Sequence, residues 1–222
     1  MAAESAGCVS GAARAAAVRY EIIVVDDSST DDTGARAAAS GATLVRVDRR
    51  QIAAARNAGA AVATGRTLVF VDADTLVTAA VIHAVREARA GGATAGGARV
   101  CFDEPLPRGA RLFIAPWTFL YFRVLRFAAG CFIWADAATF RAVGGFDERY
   151  YASEEVHLSR TLKRRGPFVI VADPVTTSGR KLRTHTAREI LGTLIRLGLN
   201  PRGLQRRKGL DAWYGARRED KP

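Results

Sequence analysis

The chain has 222 residues, a length that suits one sizeable domain and is short for two. Hydrophobic residues make up 49% of it and charged residues 25%, which are ordinary globular values and exclude disorder over most of the chain. Lysine and arginine outnumber aspartate and glutamate by 33 to 22, and the net charge is +11. We therefore expect a single domain over residues 1–222 with a basic surface.

The cysteines and the apolar segments bear on where the protein works. Cys8, Cys101 and Cys131 are too scattered for a disulfide framework or a cysteine metal site, which favours a reducing compartment. Residues 1–19 lack the basic start and apolar block of a secretory signal. The most apolar stretch, residues 112–127, is interrupted by charges and is too short to span a bilayer. We expect a cytoplasmic protein that can rest on a membrane without crossing it.

Strand-like apolar runs alternate with alanine-rich helical runs, which is typical of an α/β sheet covered by helices. The predicted strands cover residues 21–25, 43–47, 67–71, 98–102, 130–135 and 168–172. The predicted helices cover residues 51–63, 79–90, 137–143, 154–165 and 187–199. The fold class expected from this order is α/β, with a mostly parallel open sheet flanked by helices as in Rossmann-like folds.

The basic residues concentrate in a C-terminal tail. Residues 180–222 contain 12 Lys or Arg and 4 Asp or Glu, a local charge of +8. Such a tail suits anionic lipid headgroups, a phosphorylated ligand or nucleic acid, although a solvated basic surface is equally compatible with it. The repeated basic and aromatic interleaving of a single-strand binder is absent, so no nucleic-acid partner is expected.

Two aspartates follow the predicted strand 67–71. Asp72 and Asp74 are two residues apart, so their side chains point to the same side of the sheet. Hard oxygen ligands of this kind suit Mg²⁺ or Mn²⁺, and such an ion is how proteins grip a diphosphate. The alternative is a turn followed by a helix cap, which is the commoner use of this pattern taken alone.

Further polar residues are placed where they can join these aspartates. Asp26 and Asp27 also follow a predicted strand, and the carboxyl ends of parallel strands lie along one sheet edge where ligands bind. Arg56 and Asn57 add a fixed cation and an amide that can meet a nucleotide. For Arg56 the alternative is an unpaired surface residue on a helix.

The acidic pair Glu154 and Glu155 begins the predicted helix 154–165, and both side chains flank its apolar face. One can act as a general base with the other as a positioning group, or both can stabilise the first helical turn. The helical geometry does not choose between these roles. His185 can complete a metal shell from a distant segment, although a solvated loop histidine is favoured.

Five segments in this order resemble the family 2 glycosyltransferases of GT-A fold. They are EIIVVDDSSTDDT at 21–33, ARNAG at 55–59, FVDAD at 70–74, GGFDE at 144–148 and SEEVHL at 153–158. The resemblance implies a nucleotide-sugar donor, a divalent metal (Mg²⁺ or Mn²⁺) and inversion at the anomeric carbon. The expected activity is sugar transfer to an acceptor hydroxyl, with a lipid-linked or cell-envelope acceptor and peripheral contact with an anionic membrane.

The resemblance also implies roles for individual residues. Asp26 and Asp27 would lie near the nucleobase and ribose, and Arg56 close to the nucleotide. Asp72 would serve the ribose, and Asp74 the metal and diphosphate. The acidic pair at 154 and 155 matches the Glu-Asp of the family, which makes Glu155 the base although that position is normally Asp. Glutamate carries the same carboxylate one methylene further out.

The N-terminus departs from the family pattern. Members usually open with an apolar strand and a Pro-x-x-Asn-Glu-like loop, whereas residues 1–20 contain neither, and residues 11–19 resemble what remains of the first helix. We therefore expect an N-terminally truncated fold with an open edge beside the strand at 21–25. This departure makes a non-catalytic nucleotide-sugar-binding or scaffold protein the leading alternative. A nucleotidyltransferase would need a glycine-rich basic loop near the N-terminus, which is absent from the sequence.

Overall fold

A computed structural model describes residues 2–104, 119–179, 204–205 and 210, with side chains from residue 8 onwards. The predicted helix 187–199, His185 and nearly all of the basic tail lie outside the described residues. Two points of the tail are visible: the Leu204 carbonyl accepts a hydrogen bond from the Tyr151 N–H at 2.8 Å, and Leu210 is buried.

Strands and helices alternate along most of the chain. The strands are β1 Ile23–Asp27, β2 Thr43–Val47, β3 Thr67–Val71, β4 Thr75–Leu76, β5 Ala95–Phe102, β6 Phe132–Asp136 and β7 Phe168–Thr177. The α-helices are α1 Ala2–Ala15, α2 Thr33–Ala39, α3 Ile52–Val62, α4 Ala79–Ala90, α5 Ala137–Ala142 and α6 Glu154–Lys163. A short π-helix covers Leu120–Val124. The α/β class expected from the sequence is confirmed.

The strands form two sheets in the described part of the chain. β1 and β2 pair in parallel, and the other strands form a sheet in the order β3-β6-β5-β7-β4. In this larger sheet β5 and β7 are parallel, whereas the pairings β3–β6, β5–β6 and β4–β7 are antiparallel. The larger sheet is therefore mixed, where the sequence predicted a mostly parallel one.

β6 runs antiparallel to β3 and β5, and the short strand β4 is antiparallel to β7. A parallel return needs a crossover, usually a helix, that carries the chain back to the starting edge. Between β5 and β6 the structure describes the π-helix and residues 126–129, which have no regular secondary structure. β6 then runs antiparallel to both of its neighbours.

β6 also divides the apolar core into two layers, because successive side chains of a strand point to opposite faces. Ile133 and Ala135 belong to a buried cluster with residues of α3, α5 and α6. Phe132 and Trp134 belong to a second buried cluster with Val81 and Val85 of α4. The five-stranded sheet is therefore covered by helices on both faces.

The bounds of β1 and β7 differ from the predicted ones, β5 begins three residues earlier than expected, and β6 begins two residues later. β1 begins and ends two residues later than expected, so Asp26 and Asp27 belong to the strand and do not follow it. β7 continues through Pro174 to Thr177, where the sequence predicted its end at residue 172. Proline has no N–H for a sheet ladder, and a register shift between Ala98 and Arg99 of β5 accommodates it.

The two sheets are held side by side at the start of β1. The Glu21 carboxylate accepts hydrogen bonds from the Thr64 and Gly65 N–H groups, at 2.8 and 2.7 Å, just before β3 begins. These hydrogen bonds lower the pKa of Glu21. No strand in the described part of the chain pairs with the other edge of β1 or of β3.

Candidate functional site

Arg56 is the centre of a buried polar cluster between α3, the end of β3 and the start of α6. Its guanidinium donates to Glu154 Oε1 at 2.8 Å, to Asp72 Oδ1 at 2.8 Å and to the Gly130 carbonyl at 2.7 Å. Its side chain is only 11% exposed, and it also lies over the Phe146 ring, 5.2 Å from the centroid. Arg56 is therefore an internal bridge, not an unpaired surface residue.

Glu154 begins α6 and is buried, with 5% of its side chain exposed. Burial raises its pKa, while the charge of Arg56 acts in the opposite direction. A buried carboxylate is costly unless it is paired and hydrogen-bonded, and Arg56 supplies the pairing. This arrangement assigns Glu154 to holding the cluster together.

Glu155 is partly buried on the other side of the same helical turn. The Tyr121 hydroxyl lies 3.4 Å from its Oε1 atom, and a Cβ added to Gly130 would lie 3.9 Å from its carboxylate carbon. Burial, and then the neighbouring charge of Glu154, raise the pKa of Glu155 to about 7. A carboxylate with this pKa can take and release a proton near neutral pH.

Asp72 and Asp74 flank the turn from β3 to β4. Asp72 is held by Arg56, and its N–H donates to the Cys131 carbonyl at 3.1 Å. Burial raises the pKa of Cys131 to about 12, and the charges of Asp72 and Asp74 act in the same direction. The peptide groups of Gly130 and Cys131, directly before β6, therefore contact both Arg56 and Asp72.

Asp74 is positioned by β7. The Thr75 hydroxyl donates to Thr177 Oγ1 at 3.0 Å, and the Thr177 hydroxyl is 3.4 Å from Asp74 Oδ1. Thr75 is fully buried, so the pairing of β4 with β7 fixes this chain of contacts.

The donor set near Asp74 fits a metal that shares its coordination shell with a substrate. Among the described residues, no three His, Cys, Asp or Glu side chains form a group that could hold a metal ion. Mg²⁺ typically uses one or two carboxylates and completes its shell with water and substrate phosphates. The half-buried Asp74 and the 43% exposed Asp72 suit such a site and no all-protein cage.

Asp26 points away from this cluster. Its carboxylate accepts the Ser29 N–H at 3.0 Å, and its Oδ2 would lie 2.9 Å from a Cβ added to Gly34. It lines a shallow pocket of about 370 Å³ with residues of α2 and β2, among them Arg46.

Asp27 is engaged by the backbone before α3. Its two carboxylate oxygens accept the N–H groups of Arg49, Arg50 and Gln51 at 2.7, 2.8 and 2.9 Å. The buried Gln51 amide in turn donates to the Glu148 carbonyl at 2.5 Å. Asp27 therefore fixes the start of the helix that carries Arg56, and the described contacts do not join Asp26 or Asp27 to Glu155.

Asn57 holds the turn between α5 and α6. Its side-chain oxygen accepts the Phe146 N–H at 2.9 Å, and its amide nitrogen donates to the Phe146 carbonyl at 2.9 Å. The same nitrogen donates to Glu148 Oε1 at 2.9 Å. This clamp orders residues 144–148 beside α6, which is a structural role where the sequence suggested a contact with nucleotide.

Sequence reasoning missed three polar residues of the cluster. They are Tyr121, Thr75 and Thr177. Tyr121 lies in the aromatic stretch 112–127, which was interpreted only as a candidate membrane surface, although a tyrosine hydroxyl among apolar residues usually has a partner. Thr177 lies beyond the predicted end of β7.

The fold is similar to that of solved structures that include a mannosyltransferase and a glucosyl-3-phosphoglycerate synthase. A mannosyltransferase from Pyrobaculum calidifontis, in complex with GDP-Man and Mn²⁺, is 21% identical with a TM-score of 0.54, over 79% of this chain and 55% of that one. Glucosyl-3-phosphoglycerate synthase from Mycobacterium tuberculosis, with Mn²⁺, UDP-glucose and phosphoglyceric acid, is 18% identical with a TM-score of 0.58, over 92% and 75%. S. aureus TarS 1-349 is 14% identical with a TM-score of 0.60, over 90% and 63%. The chain thus spans between 55% and 75% of these structures, and its fold is of the GT-A type.

The chain belongs to glycosyl transferase family 2, because the model of this family matches residues 6–144, more than half of the sequence. The resemblance found in the sequence is thereby confirmed. No curated protein matches the chain.

Proposed function

We propose that the protein is an inverting glycosyltransferase that moves a sugar from a nucleotide-diphosphate donor to an acceptor hydroxyl. The observation that carries this proposal is the Arg56 cluster, which places Asp72 at the end of β3 beside the acidic start of α6. Family membership and the GT-A fold support the reaction class. The structures of the mannosyltransferase and of the synthase contain GDP-mannose and UDP-glucose, so these two donors are the first to test.

In the proposed reaction, Glu155 takes the proton of the acceptor hydroxyl. The acceptor oxygen forms a bond to the anomeric carbon while the bond from that carbon to the diphosphate oxygen breaks. Glu154 stays paired with Arg56. The nearby Glu154 charge also keeps Glu155 basic enough to accept a proton.

A divalent ion, Mn²⁺ or Mg²⁺, would be held by Asp74, with Asp72 close to the donor ribose. When bound, such an ion neutralises the negative charge that develops on the departing diphosphate. Asp26 and Asp27 are proposed to serve the nucleoside end of the donor, Asp26 by contact and Asp27 by fixing residues 49–51.

The experiment measures release of nucleoside diphosphate from UDP-glucose and GDP-mannose, with and without Mn²⁺, by the purified full chain. We expect Asp74→Asn and Glu155→Gln each to lower the rate by about a hundredfold or more, because each removes a group that acts on the reacting atoms. Asp173→Asn, in β7, and Glu87→Gln, exposed on α4, are the matched controls. Calorimetric titration of Mn²⁺ in the presence of UDP tests the Asp74 site without turnover.

The second candidate is a protein that binds nucleotide sugar without transferring it. It is favoured by the separation of the β1–β2 pair from the larger sheet, since β1 carries both Asp26 and Asp27. Donor binding with no diphosphate release from any donor, and with no effect of Glu155→Gln, would support this candidate over the transferase.

The acceptor is proposed to be lipid-linked or part of a cell-envelope precursor, with the protein resting on the cytoplasmic face of a membrane. Phe119 and Val124 are 62% and 59% exposed, and Leu120 and Leu125 are exposed beside them. In the part of the chain that can be described, no helix is long and apolar enough to cross a bilayer. Exposed apolar groups on one short π-helical turn suit insertion at the lipid interface.

Cations lie close to this apolar surface. Arg126 follows the π-helix, and Arg160 and Lys163 of α6 both lie over the Phe127 ring, at 5.3 and 4.6 Å. Burial and the charges of Arg126 and Arg160 lower the pKa of Lys163. Anionic headgroups would neutralise this repulsion.

Sedimentation with vesicles tests the membrane contact. We expect binding to vesicles that contain an anionic phospholipid at low salt, weaker binding at high salt, and little binding to neutral vesicles. The double variant Phe119→Ser with Val124→Ser should bind less tightly. Val62→Ser removes a 46% exposed residue of α3 and serves as the control. Absence of binding at low salt would refute the contact.

A further inference from the structure

The Tyr121 hydroxyl lies between two oxygen atoms. It is 2.9 Å from the Ala128 carbonyl and 3.4 Å from Glu155 Oε1. A tyrosine hydroxyl has one proton to donate, so it can serve one of these oxygens at a time. Burial and the charge of Glu155 raise the pKa of Tyr121, and the phenol therefore keeps its proton.

The Ala128 peptide is rigid. Ala128 is fully buried, and its N–H donates to the buried Ser159 hydroxyl of α6 at 3.2 Å. A Cβ added to Gly97 of β5 would lie only 2.7 Å from the Ala128 side chain. The carbonyl therefore remains beside Tyr121, while the charge on Glu155 changes during the proposed reaction.

We propose that Tyr121 is a positioning residue for Glu155. The Tyr121 hydroxyl donates to the Glu155 carboxylate when that carboxylate is charged, and to the Ala128 carbonyl once Glu155 has taken a proton. The inference rests on the proposed function of Glu155 as the base. The change requires only rotation of the hydroxyl proton about the C–O bond of Tyr121. No covalent bond is formed or broken, and the buried carbonyl is the alternative partner.

The contact with Tyr121 acts among several charges. Glu155 is faced by Glu154 on its own helix and by Arg56 from α3, in addition to Tyr121. Glu154 disfavours the charged form of Glu155, whereas Arg56 and the Tyr121 hydroxyl favour it. Removing only the hydroxyl should therefore make Glu155 hold its proton to a higher pH.

Tyr121→Phe tests the proposal, because phenylalanine keeps the ring packing and lacks only the hydroxyl. We expect the acidic limb of the kcat profile to move up by about half a pH unit to one unit, so that kcat at low pH falls by about threefold to tenfold. The KM for the donor should stay unchanged. Tyr150→Phe is the matched control. The Tyr150 ring stacks on His157, which belongs to the same helix as Glu155, with the two ring centroids 5.1 Å apart.

A second measurement does not depend on turnover. Carbon-13 NMR of the glutamate carboxyl groups, with Glu155 assigned from the Glu155→Gln spectrum, follows its titration in the wild type and in Tyr121→Phe. An upward shift of the Glu155 midpoint in the variant alone supports the proposal. Equal midpoints overturn it, as does a kcat that falls by the same factor at every pH. If the wild type transfers no sugar, the proposed function fails, and the NMR titration still decides the role of Tyr121.

Discussion

Replacing Arg56 tests whether the buried cluster depends on charge. Arg56→Met removes a guanidinium that is 11% exposed and makes three hydrogen bonds of 2.7 to 2.8 Å. The lost partner that matters most is Glu154, whose side chain is 5% exposed. Breaking a buried ion pair by removing one member costs about 3–5 kcal/mol. The pair with Asp72, which is 43% exposed, should contribute only about 0–1 kcal/mol.

The cost should depend on pH, and its sign follows from Glu154. Burial already raises the pKa of Glu154, and loss of the Arg56 charge should raise it further. When the pKa of a carboxyl group is higher in the folded state than in the unfolded state, the free energy of unfolding of the protein falls as pH rises between the two pKa values. We therefore expect the full cost of Arg56→Met at about pH 8 and a smaller cost at about pH 5, where Glu154 in the variant can be neutral.

Urea unfolding followed by circular dichroism at both pH values measures these free energies. The double variant Arg56→Met with Glu154→Gln should recover much of the loss at high pH, since it removes the unpaired charge. If Arg56 acted only through packing on Phe146, the cost would be equal at both pH values and Glu154→Gln would not relieve it. Either result would refute the electrostatic argument.

Three other predictions concern the surroundings of the site. Asn57→Ala leaves the N–H and carbonyl of Phe146 without their side-chain partner, and urea unfolding should show a loss of about 1–3 kcal/mol; a loss below about 0.5 kcal/mol would mean that water replaces the amide. Because the pKa of Glu155 is raised to about 7, kcat at saturating donor should rise as pH increases through that value, and a profile that is flat there would exclude Glu155 as the base. Gly96→Ala adds a Cβ only 1.8 Å from the Val169 carbonyl oxygen, so little folded protein is expected in the soluble fraction; a normal yield with a wild-type circular dichroism spectrum would show that the strands can separate locally.

The fold class and the main elements could be predicted because the apolar runs and alanine-rich runs alternate clearly. The direction of β6 could not, since the sequence before it carries no periodic signal for a returning helix. The end of β7 was also missed, because Asp173 and Pro174 are typical turn residues and only pairing with β5 and β4 keeps them in a strand. In both cases contacts distant in sequence decide the structure.

The sequence indicated most residues of the candidate site, but it did not indicate which of them contact one another. The order of the motifs indicated Asp72, Asp74 and the acidic pair, whereas Arg56 gave no sign that it would bind Asp72 and Glu154 together. The partners of the Arg56 side chain lie on other elements, and a single sequence does not reveal the distances between side chains on different elements. For the same reason the sequence did not reveal that the Asp27 carboxylate accepts three backbone N–H groups, and its role toward the donor stays a prediction.

The two peptide groups directly before β6 connect the packing of this strand to the position of the Arg56 cluster. The Gly130 carbonyl holds Arg56 and the Cys131 carbonyl holds the Asp72 N–H, while the residues that follow are packed from both faces. Slightly looser packing of the helices against either face of β6 would therefore displace the Arg56 guanidinium before the protein unfolds. Turnover is thus expected to report subtle packing defects around β6 earlier than melting temperature does.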